Sequence, residues 1–151
     1  MLGERCQVTT TVDDKGRIAL PARLRHKLRD AGINGLVLAT FDGSLKLYPP
    51  GYFRERVEAP IAGMDPFDPQ VQILHHAILA GASDCAVDKQ GRLRIPVELR
   101  DEAGFGVGSE VVLISMLDWI EVFDKKAWIE RRRFARAHRN KARAEVLGGG
   151  S

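Results

Sequence analysis

The sequence has little cysteine, few aromatic residues and no long apolar run. Cys6 and Cys85 are too few for a disulfide framework and show no CxxC or paired-histidine spacing, so we expect them to be small apolar filler. No apolar run approaches the roughly 20 residues that cross a bilayer, and the first residues lack the apolar core of a signal peptide. We therefore expect a cytoplasmic protein with no membrane partner.

Motifs of catalysis and of nucleotide binding are also missing. The 151 residues contain no HExxH, Walker or GxGxxG pattern and no recognisable Ser-His-Asp set. His75 and His76 are adjacent, and adjacent side chains point about 100° apart on a helix. The sequence thus predicts no enzyme, no metal and no cofactor. A hydrolase that uses His75 and nearby acids would need a pocket that no sequence pattern indicates.

Charge is distributed unevenly along an ordinary globular composition. Hydrophobic residues make up 44% and charged residues 28%, which argues against disorder. The net charge is +3 over residues 1–55, −2 over 56–83, −4 over 84–130 and +6 over 131–147. Basic excess in the first third and near the C-terminus is compatible with a polyanionic partner, and equally with solvated helix faces.

A repeat runs through the sequence with a shift of 75 residues. VDDKGRIALPARLR (residues 12–25) aligns with VDKQGRLRIPVELR (residues 87–100), and the match continues to Phe53 and Trp128 without a gap. An ungapped match over about forty residues indicates one supersecondary unit built twice. Identical pairs in the aligned segments are Val12/Val87, Asp13/Asp88, Gly16/Gly91, Arg17/Arg92, Pro21/Pro96, Leu24/Leu99 and Arg25/Arg100.

Each copy reads as a strand, a turn with glycine, a strand, a helix and a closing hairpin. A proline follows the second strand, where it can open the helix at its first position. A glycine, Gly32 or Gly104, can end the helix. The predicted bounds are Gln7–Val12, Arg17–Leu20 and Ala22–Asp30 in the first copy, and Asp84–Val87, Arg92–Ile95 and Val97–Ala103 in the second.

One copy alone cannot bury much apolar surface, but two copies can interleave their strands into one small barrel. The sequence predicts an α+β fold, mainly β, with pseudo-twofold symmetry and flanking helices. We divide it into a first repeat (1–57), a linker and insert helix (58–83), a second repeat (84–130) and a basic helical tail with a flexible end (131–151). Within these, residues 58–66 predict a linker, and Asp68–Leu79 and Lys125–Leu147 predict helices.

The repeated turn carries the residues best suited to bind a ligand. Gly16 and Gly91 are predicted to adopt positive φ, and Asp13 and Asp88 to bond the turn backbone and the arginine four residues on. Arginines held in this way, Arg17 and Arg92, can offer a fork of donors to phosphate or to guanine in the major groove. Lys15 and Lys89 add charge at the tips.

A simpler interpretation is that each Asp–Arg pair only stabilises its own hairpin. A purely structural pair would also be present in both copies. The aromatic residues Trp119, Phe123 and Trp128 are expected in the core or at subunit contacts, and not as platforms for bases. The basic tail is expected to be a solvated helix. The alternative is that it adds nonspecific attraction to DNA.

The double motif, Asp-x-Lys-Gly-Arg-Ile-x-Leu-Pro followed by Asp-x-x-Gly-Arg-Leu-x-Ile-Pro, resembles the MraZ family of AbrB-like swapped-hairpin DNA-binding proteins. The resemblance covers about residues 1–140. It implies a bacterial transcription factor on the nucleoid that binds G-rich direct repeats upstream of the division and cell-wall gene cluster, including its own gene. It also implies octameric or dodecameric rings.

Position by position, the resemblance makes Arg17 and Arg92 the arginines of the family's DxxxR turns, Asp13 and Asp88 their acids, and Lys15 the lysine of the first turn. Gln90 stands where a second such lysine would be. The alternative of another class is a scaffold whose ring surface binds protein, with the arginines in pairs between subunits.

Overall fold

The computed structural model describes residues 2–3 and 5–148 of the chain. Within them the chain forms eight strands and seven α-helices, together with π-helical turns at Arg54–Glu58 and His75–Leu79. In chain order these elements are β1 (Gln7–Thr11), β2 (Arg17–Ala19), α1 (Ala22–Asp30), β3 (Gly35–Thr40), β4 (Leu45–Tyr48), α2 (Pro50–Phe53), α3 (Ala59–Ala62), α4 (Pro69–Leu74), β5 (Ser83–Ala86), β6 (Arg92–Arg94), α5 (Val97–Ala103), β7 (Glu110–Ser115), β8 (Ile120–Asp124), α6 (Lys125–Ala137) and α7 (Arg139–Val146).

The two copies of the repeat form the same elements in the same order, and the bounds predicted for α1 and α5 are confirmed. Pro21 and Pro96 lie one residue outside their helices, as extended N-cap residues with ψ of 146° and 144°. The sequence predicts both prolines inside the helices, at the first helical position. Each proline lies two residues after the end of the preceding strand, and the helix starts at the next residue.

Strands of the two copies pair with each other in both sheets. The six-stranded sheet has the order β1-β7-β8-β4-β3-β5, so each edge strand of one copy lies against a strand of the other. Strands β2 and β6 form a separate two-stranded antiparallel ribbon. Because a shift of 75 residues converts this strand order into its own reverse, the pairing has the pseudo-twofold symmetry that the repeat predicts.

The registers locate the pseudo-twofold axis. In the ribbon Ile18 is opposite Leu93, and in the centre of the large sheet Lys46 is opposite Glu121. Both pairs join equivalent positions of the two copies, so the axis passes between the members of each pair. Ile18 and Leu93 are completely buried, which leaves their ribbon neighbours on the outer face.

A single apolar core is shared by both copies. Helices α1 and α5 contribute Leu24, Leu28 and Leu99 to the same cluster that the strands of both copies line. The burial of side chains from both halves in one cluster means that neither half encloses a core of its own. Fully buried side chains of the core include Ile18, Leu36, Leu38, Leu45, Leu47, Leu93, Ile95, Leu113 and Ile120.

The segment predicted as a linker, residues 58–66, is helical as far as Ala62. It continues a helical segment that begins at Pro50, and the π-helical turn at Arg54–Glu58 accommodates Pro60, whose missing N–H would interrupt a plain α-helix. In this segment Phe53 and Ile61 are buried, and Val57 lies midway between them. The three residues are four positions apart and therefore lie on one face of a helix. This spacing is the signal that should have indicated a helix.

The helices predicted in the insert and in the C-terminal tail are confirmed, each with one interruption. The predicted helix over Asp68–Leu79 has Asp68 as its N-cap, whose side chain accepts from Gln70 N–H, and turns π-helical at His75. The predicted helix over Lys125–Leu147 breaks at His138 into α6 and α7. The described part of the chain has no helix with the length and apolar character to span a membrane.

Candidate nucleic-acid interface

The first turn is organised around one carboxylate. Asp13 accepts hydrogen bonds from the backbone N–H of Lys15 (2.9 Å), the backbone N–H of Arg17 (2.8 Å) and Nε of Arg17 (2.8 Å). Gly16 has a φ of 76° and donates its N–H to the Asp13 carbonyl at 3.0 Å. One side chain therefore holds both the reversal of the backbone and the direction of the Arg17 guanidinium.

The second turn repeats this geometry. Asp88 accepts from the backbone N–H of Gln90 (2.9 Å), from the backbone N–H of Arg92 (2.8 Å) and from Nε of Arg92 (3.1 Å). Gly91 has a φ of 77°. The two arginines are thus presented by the same local structure from opposite sides of the pseudo-twofold axis.

The carboxylates of both turns are held in their charged form. Burial opposes the charge of Asp13, but hydrogen bonds from the backbone and side chain of Arg17 outweigh it and lower the pKa of Asp13 to about 2. The backbone N–H of Arg92 is the main cause that lowers the pKa of Asp88, against a smaller opposing effect of burial. Both arginines therefore face an ionised partner at neutral pH.

The guanidinium groups lie at the surface. The side chain of Arg17 is 22% exposed and that of Arg92 is 33% exposed. Each aspartate binds the guanidinium through Nε, and no hydrogen bond within the described residues engages the terminal nitrogens of Arg17 or Arg92. These nitrogens are the donors that could bind an external acceptor.

The ribbon adds a third arginine that sequence analysis missed. Arg94 is exposed, pairs with Arg17 across β2 and β6, and donates from Nε to the Lys15 carbonyl at 3.2 Å. Arg17, Arg92 and Arg94 occupy the outer face, because the residues between them, Ile18 and Leu93, point into the core. The signal was the alternation of Arg92 and Arg94 on one predicted strand.

Two more arginines cover the turns from the opposite copy. A Cβ built on Gly16 would lie 3.0 Å from Cζ of Arg100, and one built on Gly91 would lie 1.8 Å from Cδ of Arg25. Each turn glycine therefore has two requirements, a positive φ and space for an arginine of the other repeat. Arg25 and Arg100 are identical in the two copies, and this identity was the available signal for their role.

The lysines at the turns stand at different positions. Lys15 and Lys89 are both exposed, but Lys89 is equivalent to Asp14 and Lys15 is equivalent to Gln90. Neither lysine side chain has an ion pair within residues 2–3 and 5–148. The additional positive charge therefore stands at non-equivalent positions in the two turns.

Other candidates are located away from this surface. Trp119 lies 5.9 Å from Tyr48 and 5.7 Å from Tyr52, between ring centroids, in an apolar cluster beneath the helical segment that starts at Pro50. Trp128 packs against Phe123 at 5.2 Å. His75 lies in a π-helical turn, and the described residues contain no group of three His, Cys, Asp or Glu side chains able to hold a metal.

Comparisons with known proteins support the family resemblance and match the chain in two segments. The family model "MraZ protein, putative antitoxin-like" matches residues 5–65 and 78–146. Similar proteins, each named transcriptional regulator MraZ, occur in Herpetosiphon aurantiacus (39% identical over 78% of both chains) and Lachnoclostridium phytofermentans (36%, also 78% of both). A third, in Thioalkalivibrio sulfidiphilus, is 34% identical over 80% of this chain and 79% of its own. This chain belongs to the MraZ family.

Proposed function

We propose that the protein is a DNA-binding transcriptional regulator that acts without a chemical step. The observation that carries the proposal is the outer face of the β2–β6 ribbon, where Arg17, Arg92 and Arg94 lie together. The ion pairs with Asp13 and Asp88 use Nε and leave the terminal nitrogens of Arg17 and Arg92 without a hydrogen bond to the described residues. Arg17 and Arg94 lie directly opposite each other, and the guanidinium groups of this face can donate hydrogen bonds to a polyanion that covers it. The similar proteins are named transcriptional regulators, which indicates duplex DNA as that polyanion.

The shape of the surface is also suitable for a duplex. A two-stranded ribbon is narrow enough to enter the major groove, and an arginine there can donate two hydrogen bonds to guanine O6 and N7. Asp13 and Asp88 hold Arg17 and Arg92 in one direction before binding, so less side-chain entropy is lost. Lys15 and Lys89 would contact phosphates at the edges of the same surface.

The finer proposal follows the family resemblance. The protein would bind G-rich direct repeats upstream of its own operon in the division and cell-wall gene cluster, as an octameric or dodecameric ring on the nucleoid. The exchange of strands between copies would be the swapped-hairpin arrangement, closed into a small barrel. Several protomers on evenly spaced repeats gain affinity through effective concentration, by about 10²–10⁴.

Fluorescence anisotropy with labelled upstream DNA tests this proposal. We expect the wild-type protein to bind, and Arg17→Ala and Arg92→Ala each to weaken binding by about 1–3 kcal/mol per occupied subunit if the arginine reads a base. Arg54→Ala removes an exposed charge on the helical segment after β4 and serves as the control. Unchanged binding by both turn variants, or none by the wild type, would favour a protein-binding scaffold instead.

A further inference from the structure

We propose that the groove between helix α1 and the second turn binds phosphates of the DNA backbone beside the site that the ribbon reads. The inference rests on the proposed DNA binding and assigns this groove a separate role in it. The groove has a volume of about 330 Å³ and is lined on the helix side by Arg25, His26 and Arg29 and on the turn side by Lys89. These residues converge from both copies of the repeat.

Within the described residues, no ion pair neutralises the cationic side chains of the groove. Arg25, Arg29 and Lys89 are exposed and have no ion pair in the part of the chain that the structure describes. The one carboxylate in its lining, Asp88, is already bound to the backbone and side chain of Arg92. Three like charges around one concave surface raise its potential and favour an anion there.

The groove is continuous with the proposed reading surface. Arg25 lies against Gly91, and Gly91 stands immediately before Arg92 in the turn. Arg29 lies one helical turn beyond Arg25 on the same face of α1. A duplex whose bases are contacted by Arg92 would therefore bring its sugar-phosphate backbone along Arg25 and Arg29.

The equivalent position beside the first turn has the opposite character. There the residues that correspond to His26, Arg29 and Lys89 are Asp101, Gly104 and Asp14. Of the cations only Arg25 is retained, as Arg100. Since the turns themselves are nearly identical, the two halves of the chain would differ in backbone contacts, and each protomer would bind the duplex in a defined orientation.

Phosphate binding predicts a specific salt dependence. The slope of log K against log salt is negative, and each phosphate contact that is lost should make it less negative by about 0.9 and weaken binding roughly three- to ten-fold near physiological salt. The loss should be the same on any sequence, because phosphates carry no base information.

The test is a salt titration of fluorescence anisotropy, from 50 to 200 mM, with the full chain on upstream DNA and on a scrambled duplex. Arg29→Ala, which leaves the residues of the ribbon and its turns in place, should make the slope less negative by about 0.9 and weaken binding to both duplexes by the same factor. The charge-matched control is Arg54→Ala, whose exposed side chain lies on the helical segment after β4.

Three results would contradict the inference, and they are distinguishable. If the wild type binds and Arg17→Ala weakens it, but the groove variant has the same slope as the control, the groove has no role and the proposed function stands. If the wild type binds neither duplex, the proposed function fails and the groove assignment fails with it. A loss confined to upstream DNA would also contradict phosphate binding, because it would show base reading.

Discussion

Lys46 and Glu121 occupy equivalent positions in the two copies of the repeat and form an ion pair across the pseudo-twofold axis. Nζ of Lys46 lies 2.9 Å from Oε2 of Glu121, and their side chains are only 9% and 15% exposed. If the two copies had the same residue at this position, side chains of the same charge would lie opposite each other. The two copies have therefore diverged at the one place in the large sheet where identical charged residues would repel.

We expect removal of one member of this pair to destabilise the fold. Lys46→Met leaves Glu121 nearly buried, with the Trp119 indole N–H at 3.4 Å as its remaining partner, and should lower the free energy of unfolding by about 3–5 kcal/mol. Lys46→Met/Glu121→Met should recover most of that loss, because two apolar side chains leave no buried charge. Urea titrations at equal protein concentration measure both. A double variant no more stable than the single one would contradict the assigned cause.

The charge of Asp13 should contribute to stability only above acidic pH. Because the pKa of Asp13 is lowered from 3.8 to about 2 on folding, its contribution is complete above about pH 4 and is lost as the pH falls towards 2. Asp13→Asn does not titrate. The difference in Tm between wild type and this variant should therefore be constant above about pH 4 and shrink below it. A difference that stays constant down to pH 2 would show that the carboxylate charge is irrelevant.

Gly91→Ala should lower the free energy of unfolding for two separable reasons. An alanine there adopts a positive φ, at a cost of about 1–2 kcal/mol, and its Cβ would collide with Arg25. Adding Arg25→Ala should remove the collision and leave the backbone cost. Thermal unfolding of the two single variants and the double variant completes the cycle. Strict additivity would mean that Arg25 does not lie on the turn in solution.

Arg94→Ala should affect binding far more than folding. The variant loses one hydrogen bond to the Lys15 carbonyl but also the repulsion from Arg17 opposite it, so stability should change by less than about 1 kcal/mol. DNA affinity should fall by a factor comparable to that for Arg92→Ala. Ala19→Arg, at the equivalent exposed position, is the matched gain of charge and should tighten binding. Unchanged affinity in both variants would remove Arg94 from the interface.

Local patterns predicted the elements that depend on local interactions. The bounds of α1 and α5 follow from a proline before and a glycine after each apolar periodic segment, and these capping residues act within a few positions of themselves. The helical residues 58–62 were missed because Pro60 indicates a break in isolation. The segment is stabilised by burial of Phe53 and Ile61, and Phe53 packs in one cluster with side chains of β3 and β4, which is a tertiary contribution.

The candidate site was only half predictable for a related reason. Asp13 with Arg17, and Asp88 with Arg92, are four residues apart, so their pairing is a property of one turn. Arg25, Arg94 and Arg100 reach the turns from the other copy, across 66 to 84 residues of chain. No spacing in the sequence encodes such a contact.

By itself, the sequence determined that one unit is present twice and that each unit presents an arginine on an aspartate-stapled turn, because those features rest on identity and on bonds between near neighbours. Only the tertiary structure decided which strands pair across the two copies. That pairing places three arginines on one ribbon face, an ion pair on the pseudo-twofold axis and a basic groove beside one turn alone. The reason is physical: neither copy can bury its apolar strands alone, so the shared core fixes their relative position and brings distant charges together.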